Sequence, residues 1–375
     1  MPDNTTVLFA GGGTGGHLYP GLAIARTLAR LDPSVQPFFI GAERGIEMTV
    51  LPATEFPHLL LDLHPLYRSR PWENWRTFVG AVSGWRQLGA VVRERRPAMV
   101  VGTGGYAAGV ALAYAVVHAI PIVQQAGDSY PGLTARAFRR WTREYYLAFP
   151  EAGRVIGGGA DQHIDTGAPI EPPPRPRPDR LAARRSWGFP EDDAKVLLVY
   201  GGSQGSRAIN LVVAEWLATA PQGYNVIWMT GKASYHEFAA LDSPRVKVRE
   251  YLSPIADAYA ATDLALVRAG AMTTAELFAW GIPAVLVPLP TAAADHQSVN
   301  ARTLAAAGAA INLPQAELTA ARLATTLDAL VRDRTALVKL SDGAAARARP
   351  DAAETIARRI LALLGRTAAA PAPMR

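Results

Sequence analysis

Two glycine-rich junctions of the same design lie about half a chain apart, and they constrain the fold more than any other feature of these 375 residues. The first reads VLFAGGGTGGHLYPGLAIA (Val7–Ala25) and the second VLLVYGGSQGSRAINLVVAEWL (Val196–Leu217). Each opens with a short apolar or β-branched run, passes through glycines mixed with Thr, Ser or Gln, and continues with helical spacing. A strand that turns on glycines straight into a helix aims backbone N–H groups and a positive helix end at one point. That suits an anion such as a phosphate. One such junction fits almost any nucleotide binder. A matched pair predicts an α/β protein of two halves, each a doubly wound parallel sheet, facing each other across a cleft.

The rest of the chain follows this plan. Strand Val7–Ala10, a helix from about Pro20, strand Pro37–Ile40 and the unit Ala98–Gly127 alternate as in a parallel sheet covered on both faces. Ala98–Gly127 is uncharged and long enough to suggest a membrane span. Gly102, Gly104, Gly105, His118 and Pro121 divide it instead into strand Met99–Val101, a loop, helix Ala107–Ala119 and strand Ile122–Val123. The apolar run Val7–Ala10 is too short for a signal peptide. At TGAPIEPPPRPRPDR (Thr166–Arg180) prolines fix φ and remove donors, which predicts an extended, stiff linker. Alternation resumes with Val196–Tyr200, Val226–Met229, Leu264–Val267 and Ala284–Val287, and Leu318–Leu364 reads as helices. The expected domains are 1–166, a linker 167–195, and 196–345, with 346–366 a helix returning to the first domain and 367–375 a disordered tail. With no cysteine, disulfides and thiolate metal sites are excluded and a reducing compartment fits. A net charge of +6 and a pI of 9.6 suit anionic partners.

Several motifs admit a chemical and a plain reading. Gly11, Gly13 and Gly16 satisfy a dinucleotide fingerprint, a pattern that glycine runs meet easily. His17, at the start of the helix, feels the positive end of the helix dipole. It is either a base or phosphate donor, or a residue that caps and packs. Ser203 and Gln204 belong to the second junction, where Ser206 is a ready N-cap. In RAGAMTTAELFAWGIPAVLVP (Arg268–Pro288), Thr273 and Glu276 have capping-box spacing. Glu276 can equally be a carboxylate for the two hydroxyls of a ribose. In DHQSVNA (Asp295–Ala301), His296, Gln297 and Asn300 can fix sugar hydroxyls, or Asp295 simply caps the next helix. Trp72, Trp75, Phe78, Val79, Val82 and Trp85 form one helical arc bordered by Arg68, Arg70 and Arg76. The arc is either core or an interfacial surface for an anionic membrane, extended by Arg139–Arg143.

The order GGGTGGHLYPGLA, GTGGYAAG, SYPGLT, GGSQGS, GAMTTAE and HQSVNA resembles the MurG family, the UDP-N-acetylglucosamine:undecaprenyl-diphospho-muramoyl-pentapeptide N-acetylglucosaminyltransferases of peptidoglycan synthesis. The resemblance runs collinearly from Val7 to Gly308. It implies a GT-B architecture of two Rossmann-like domains and an inverting, metal-independent transfer with no cofactor. It also implies peripheral attachment to the cytoplasmic face of the cell membrane and no nucleic-acid partner. Thr14, Gly15 and Gly16 then face the donor diphosphate, with His17 at the reaction centre and Ser203 and Gln204 contacting the donor. Ala271, Met272, Thr273, Thr274 and Ala275 form the donor loop and Glu276 meets the ribose. Gln297, with His296 and Asn300, reads the N-acetylglucosamine hydroxyls. Leu252 lies where a backbone group reads uracil, and Tyr106 and Ser129–Thr134 fall on the acceptor side.

Two departures stand out. Where the family commonly reads HEQNSYPG, this chain reads QAGDSYPG (Gln125–Gly132), so the acidic residue is Ala126 and the asparagine is Asp128. Where it has an arginine after TGNPV, this chain has Glu171 after TGAPI, and a carboxylate there repels a diphosphate. The expected step is attack by the acceptor 4-hydroxyl on the donor's anomeric carbon, with His17 or Asp128 near the proton. Two other readings compete. One is a nicotinamide-dependent oxidoreductase with Glu43 as its acidic residue. The other, motivated by Ala126 and Glu171, is a non-catalytic membrane homologue or a transferase with another lipid-linked acceptor.

Overall fold

The computed structural model describes residues 4–64 and 74–366, with the side chains of residues 74–79 and Arg334 outside that description. The chain forms two compact units, one of residues 1–171 with 351–375 and the other of residues 172–350.

The first unit holds a seven-stranded sheet, all parallel, in the order β3-β2-β1-β4-β5-β6-β7. Its strands are β1 (Thr5–Gly11), β2 (Val35–Ala42), β3 (His58–Leu61), β4 (Met99–Gly104), β5 (Ile122–Ala126), β6 (Thr142–Leu147) and β7 (His163–Asp165). Alternate residues of the central strands enter different cores, because successive side chains of a strand leave opposite faces. Val7, Phe9 and Val101 pack with Leu18, Leu22 and Leu28 of helix Gly15–Leu31 and with Ile356, Ile360 and Leu361 of helix Ala352–Leu363. Leu8, Ala10 and Val100 pack with Ala108, Ala111 and Leu112 of helix Ala107–Val117. The stretch that raised a membrane span is thus strand, helix and strand. Among the described residues, no helix is long and apolar enough to cross a membrane.

The second unit holds a six-stranded parallel sheet in the order β10-β9-β8-β11-β12-β13. Its strands are β8 (Lys195–Tyr200), β9 (Tyr224–Met229), β10 (Val246–Arg249), β11 (Leu264–Val267), β12 (Ala284–Leu286) and β13 (Ala310–Asn312). Leu197, Val199, Trp216, Trp228, Val285 and Leu323 belong to its core. In both sheets the first strand of the unit is central and the order reverses beside it, between β1 and β4 and between β8 and β11. These are the switch points at which open α/β sheets bind ligands.

The Pro-rich segment is built into the second unit from residue 172 onward. Arg177 donates to the carbonyls of Trp280 (2.7 Å) and Ala279 (2.5 Å), capping the C-terminal end of helix Ala271–Ala279. Arg180 and Arg184, from helix Arg180–Ser186, both pair with Asp263. The expected disordered tail, 367–375, and the basic–aromatic residues Arg68, Arg70 and Trp72 lie outside the described residues.

Candidate active site

Each glycine junction falls at a switch point. In the first unit the helix begins at Gly15, earlier than the sequence pattern suggests, so His17 lies in its first turn and Pro20 in its second. His17 sits against the ends of β1 and β4. Its Nδ1 is 3.2 Å from the Gly12 carbonyl and 3.2 Å from Thr14 Oγ1. A carbonyl only accepts, so this contact is a hydrogen bond when Nδ1 carries the proton, which leaves Nε2 as the basic nitrogen. The GTGG motif makes room for the ring. Gly104 and Gly105 have φ of +101° and +78°, and a Cβ on Gly104 would lie 2.7 Å from His17 Cδ2. Such φ values favour glycine in any case. Thr14 and Gly16 are exposed and Gly15 is half-buried. Tyr106, half-buried, donates to the Arg44 carbonyl at 2.7 Å.

A residue that the sequence did not single out supports this loop. Glu47 is fully buried, and its Oε1 accepts from the Gly13 amide at 2.6 Å. A Cβ on Gly12 would lie 1.6 Å from that oxygen, so the run of glycines lets a carboxylate approach the backbone. The first junction therefore does not offer all its amides to a ligand: Gly13 is taken by Glu47, and Gly12 donates to the Gly104 carbonyl at 3.3 Å.

Asp128 is half-buried just beyond β5, two residues after Ala126, which is buried in an apolar cluster with Leu147 and Ile156. Beside Ala126, Gln125 is 2% exposed and both polar atoms of its side chain lack a hydrogen-bond partner. Glu171 is exposed, and its charge reaches Arg26, whose pKa is raised chiefly by its hydrogen bond to Glu55.

In the second unit Ser206 is the N-cap of helix Arg207–Ala218, as its plain reading expects, and its hydroxyl accepts from the Ile209 amide at 3.5 Å. The same hydroxyl accepts from Arg268 at 2.7 Å. Arg268, 7% exposed at the end of β11, also donates to Gln315 Oε1 (2.7 Å) and to the carbonyls of Val287 (3.2 Å) and Pro288 (2.9 Å). All four acceptors are neutral, and burial lowers the guanidinium's pKa. A positive charge is thus fixed beside the junction, where Ser203 and Gln204 are exposed. An arginine directly after an apolar strand was the available signal.

The capping-box reading of Thr273 and Glu276 does not hold. Helix Ala271–Ala279 has Gly270 as its N-cap, which puts Thr273 in the third helical position. Glu276 Oε2 instead accepts from Tyr259 at 2.7 Å. Ala271, Met272, Thr273, Ala275 and Glu276 are half-buried, while Thr274 is buried and donates to the Gly270 and Ala271 carbonyls. Leu252 is buried in the loop after β10. Asp295 makes no capping hydrogen bond to helix His296–Ala306. It and Ala294 are held at φ of +55° and +52°, a conformation that side chains resist. His296 Nδ1 contacts the Ala293 carbonyl at 2.8 Å, and Gln297 Oε1 accepts from the Leu289 amide at 3.0 Å. Asn300 is buried and donates to the Ala269 carbonyl at 3.2 Å, tying this helix to the loop before Gly270. Among the described residues, no three histidine or acidic side chains converge as metal ligands.

Residues 7–147 match the glycosyltransferase family 28 N-terminal domain and residues 196–356 its C-terminal domain. A Salinibacter ruber protein named UDP-N-acetylglucosamine–N-acetylmuramyl-(pentapeptide) pyrophosphoryl-undecaprenol N-acetylglucosamine transferase is 41% identical over 368 residues, covering 96% of this chain and 97% of its own length. The chain belongs to the MurG family. A protein of the same name from Chlorobaculum parvum is 37% identical, over 95% of this chain and 99% of its own. The crystal structure of Acinetobacter baumannii MurG superposes with a TM-score of 0.75 at 26% identity, covering 96% and 99% of the two chains. The fold of this MurG-family chain is accordingly GT-B-like, with one parallel α/β sheet in each unit. Membership displaces the oxidoreductase reading. Glu43, the acidic residue that reading needed, is an exposed residue just after β2.

Proposed function

We propose that this chain transfers N-acetylglucosamine from UDP-N-acetylglucosamine to the 4-hydroxyl of undecaprenyl-diphospho-N-acetylmuramoyl-pentapeptide, the step from lipid I to lipid II in peptidoglycan synthesis. One observation carries it: end-to-end similarity, 41% over 96% of the chain, to a transferase so named. In this reading the second unit holds the donor. The helix end after Ser206 and the charge of Arg268 favour its diphosphate, Glu276 its ribose, Gln297 its sugar and the loop at Leu252 its base. The first unit supplies His17, Asp128 and the acceptor-side Tyr106. The acceptor oxygen bonds to the anomeric carbon as the bond to the β-phosphate oxygen breaks, so the configuration inverts. The electron pair leaves with UDP, and the hydroxyl proton passes to His17 Nε2 or to Asp128. Positive helix ends that face the leaving diphosphate lower the barrier, since they need no reorientation as charge builds.

Peripheral attachment to the cytoplasmic face of an anionic membrane belongs to the same proposal. Trp141 is 51% exposed with exposed Arg139, Arg140 and Arg143 around it, which supports a basic–aromatic contact surface. A different lipid-linked acceptor is the second reading, favoured by the apolar burial of Ala126 where the family commonly has an acid. An assay with radiolabelled UDP-N-acetylglucosamine and a muramoyl-diphospho-lipid tests both. Labelled lipid is expected; no transfer to this acceptor by protein that binds the donor defeats the first reading.

A further inference from the structure

The donor carboxylate does not stand alone. Tyr259, on helix Ala256–Ala261, is 3% exposed and gives its hydroxyl proton to Glu276 Oε2 at 2.7 Å. Behind it the hydroxyl of Tyr200, the last residue of β8 and also 3% exposed, lies 2.9 Å from the Tyr259 hydroxyl. An ionised carboxylate only accepts, and Tyr259 has a single proton to give. Tyr200 must then donate to Tyr259. The donors run one way, from Tyr200 through Tyr259 to Glu276. Burial raises both phenol pKa values, so both rings keep their protons. The run begins at the residue immediately before Gly201 of the second glycine junction and ends on helix Ala271–Ala279.

We propose that Tyr259 is a positioning residue that fixes the Glu276 carboxylate for the two hydroxyls of the donor's ribose, with Tyr200 as the support behind it. This rests on the ribose reading of Glu276. A carboxylate gripped by a buried phenol is held in a set direction, and a hydrogen bond to a charged group is stronger than one between neutral groups. The pair therefore sets ribose selectivity without touching the ligand. It also ties the ribose contact to the junction read as the diphosphate site, because Tyr200 serves both.

The plain alternative is core packing: Tyr259 lies 5.9 Å from the Trp280 ring, a contact that phenylalanine keeps. Calorimetric titration of the full chain with UDP and 2′-deoxy-UDP separates the two. The wild type is expected to bind UDP about tenfold more tightly than the deoxy form. In Tyr259→Phe, UDP binding weakens about fivefold and 2′-deoxy-UDP binding changes little, so the preference shrinks to about twofold. The KM for UDP-N-acetylglucosamine rises more than kcat falls. Tyr200→Phe gives a smaller loss in the same direction. A wild type without preference sinks the ribose reading and this proposal with it. A preference that persists undiminished in Tyr259→Phe overturns the proposal and leaves the ribose reading standing. Should Tyr259→Phe not fold, Tyr200→Phe decides alone, because its hydroxyl does not contact Glu276; an undiminished preference there overturns the proposal.

Discussion

His17 illustrates what a residue can and cannot reveal in advance. Its place after a glycine run was plain, and so was the choice between catalysis and packing. What the sequence did not disclose is the set of neighbours that fixes the ring: the Gly12 carbonyl, Thr14 and the Gly104–Gly105 turn. The last of these comes from the end of β4, some ninety residues away in the chain, and no local pattern encodes it. If His17 acts on the proton, His17→Ala lowers kcat about a hundredfold with UDP affinity nearly unchanged, as rate and binding measurements on one preparation can show. Equal losses in both would make it a binding residue. Glu47 was invisible for the same reason, since a lone glutamate near a glycine resembles any surface acid. Removing it in Glu47→Ala leaves the Gly13 amide without its acceptor and is expected to cost about 1–3 kcal/mol in denaturant unfolding. Glu47→Gln keeps an oxygen at that place and should recover most of the loss.

Among elements, legibility followed position in the sheet. The eight strands readable from sequence are β1, β2, β4, β5, β8, β9, β11 and β12, and every one of them has a strand on both sides. Strands buried on both faces read as continuous apolar runs. Four of the five that were missed, β3, β7, β10 and β13, are the sheet edges, and the half-exposed sequences of β10 (VKVR) and β7 (HID) lack such a run. The fifth, β6, carries Arg143 and Glu144 in its first half. The glutamate is no accident of composition: it forms a bidentate pair with Arg359 at 2.6 and 2.8 Å, anchoring helix Ala352–Leu363. A second tie closes the same helix, where Arg366 donates to Asp32 Oδ2 (2.9 Å), Ser34 Oγ (2.5 Å) and Thr5 Oγ1 (2.6 Å). The Asp32 pKa is lowered, first by the Ser34 hydroxyl and further by Arg366. A depressed carboxylate contributes stability that is complete above its ordinary value of 3.8 and disappears as pH falls through the folded value. Melting temperature should therefore drop more steeply below about pH 4 in the wild type than in Asp32→Asn. Parallel curves would show that this carboxylate does not contribute.

For the whole molecule, the two switch points explain why the paired junctions were such a strong signal: each marks the centre of its own sheet. The proposed membrane surface was harder to read, because Trp85, at the end of the arc, belongs to packing. Trp85 lies 4.7 Å from the Tyr114 ring at the edge of the core, whereas Trp141 is half in solvent. Trp85→Glu is expected to lower the melting temperature. Trp141→Glu should leave it unchanged and release the protein from anionic vesicles in a co-sedimentation assay at low salt. Retention of Trp141→Glu on the vesicles would remove that residue from the contact surface.

The helix that completes the first unit's core follows the whole of the second unit in the chain and is made after it. Ile356, Ile360 and Leu361 sit among side chains that leave the ribosome more than two hundred residues earlier. The second unit, contiguous from 172 to 350, has everything it needs while translation is still under way. Nascent protein should thus acquire protease resistance in the second unit first, and the first unit should remain open to chaperones until helix Ala352–Leu363 has emerged.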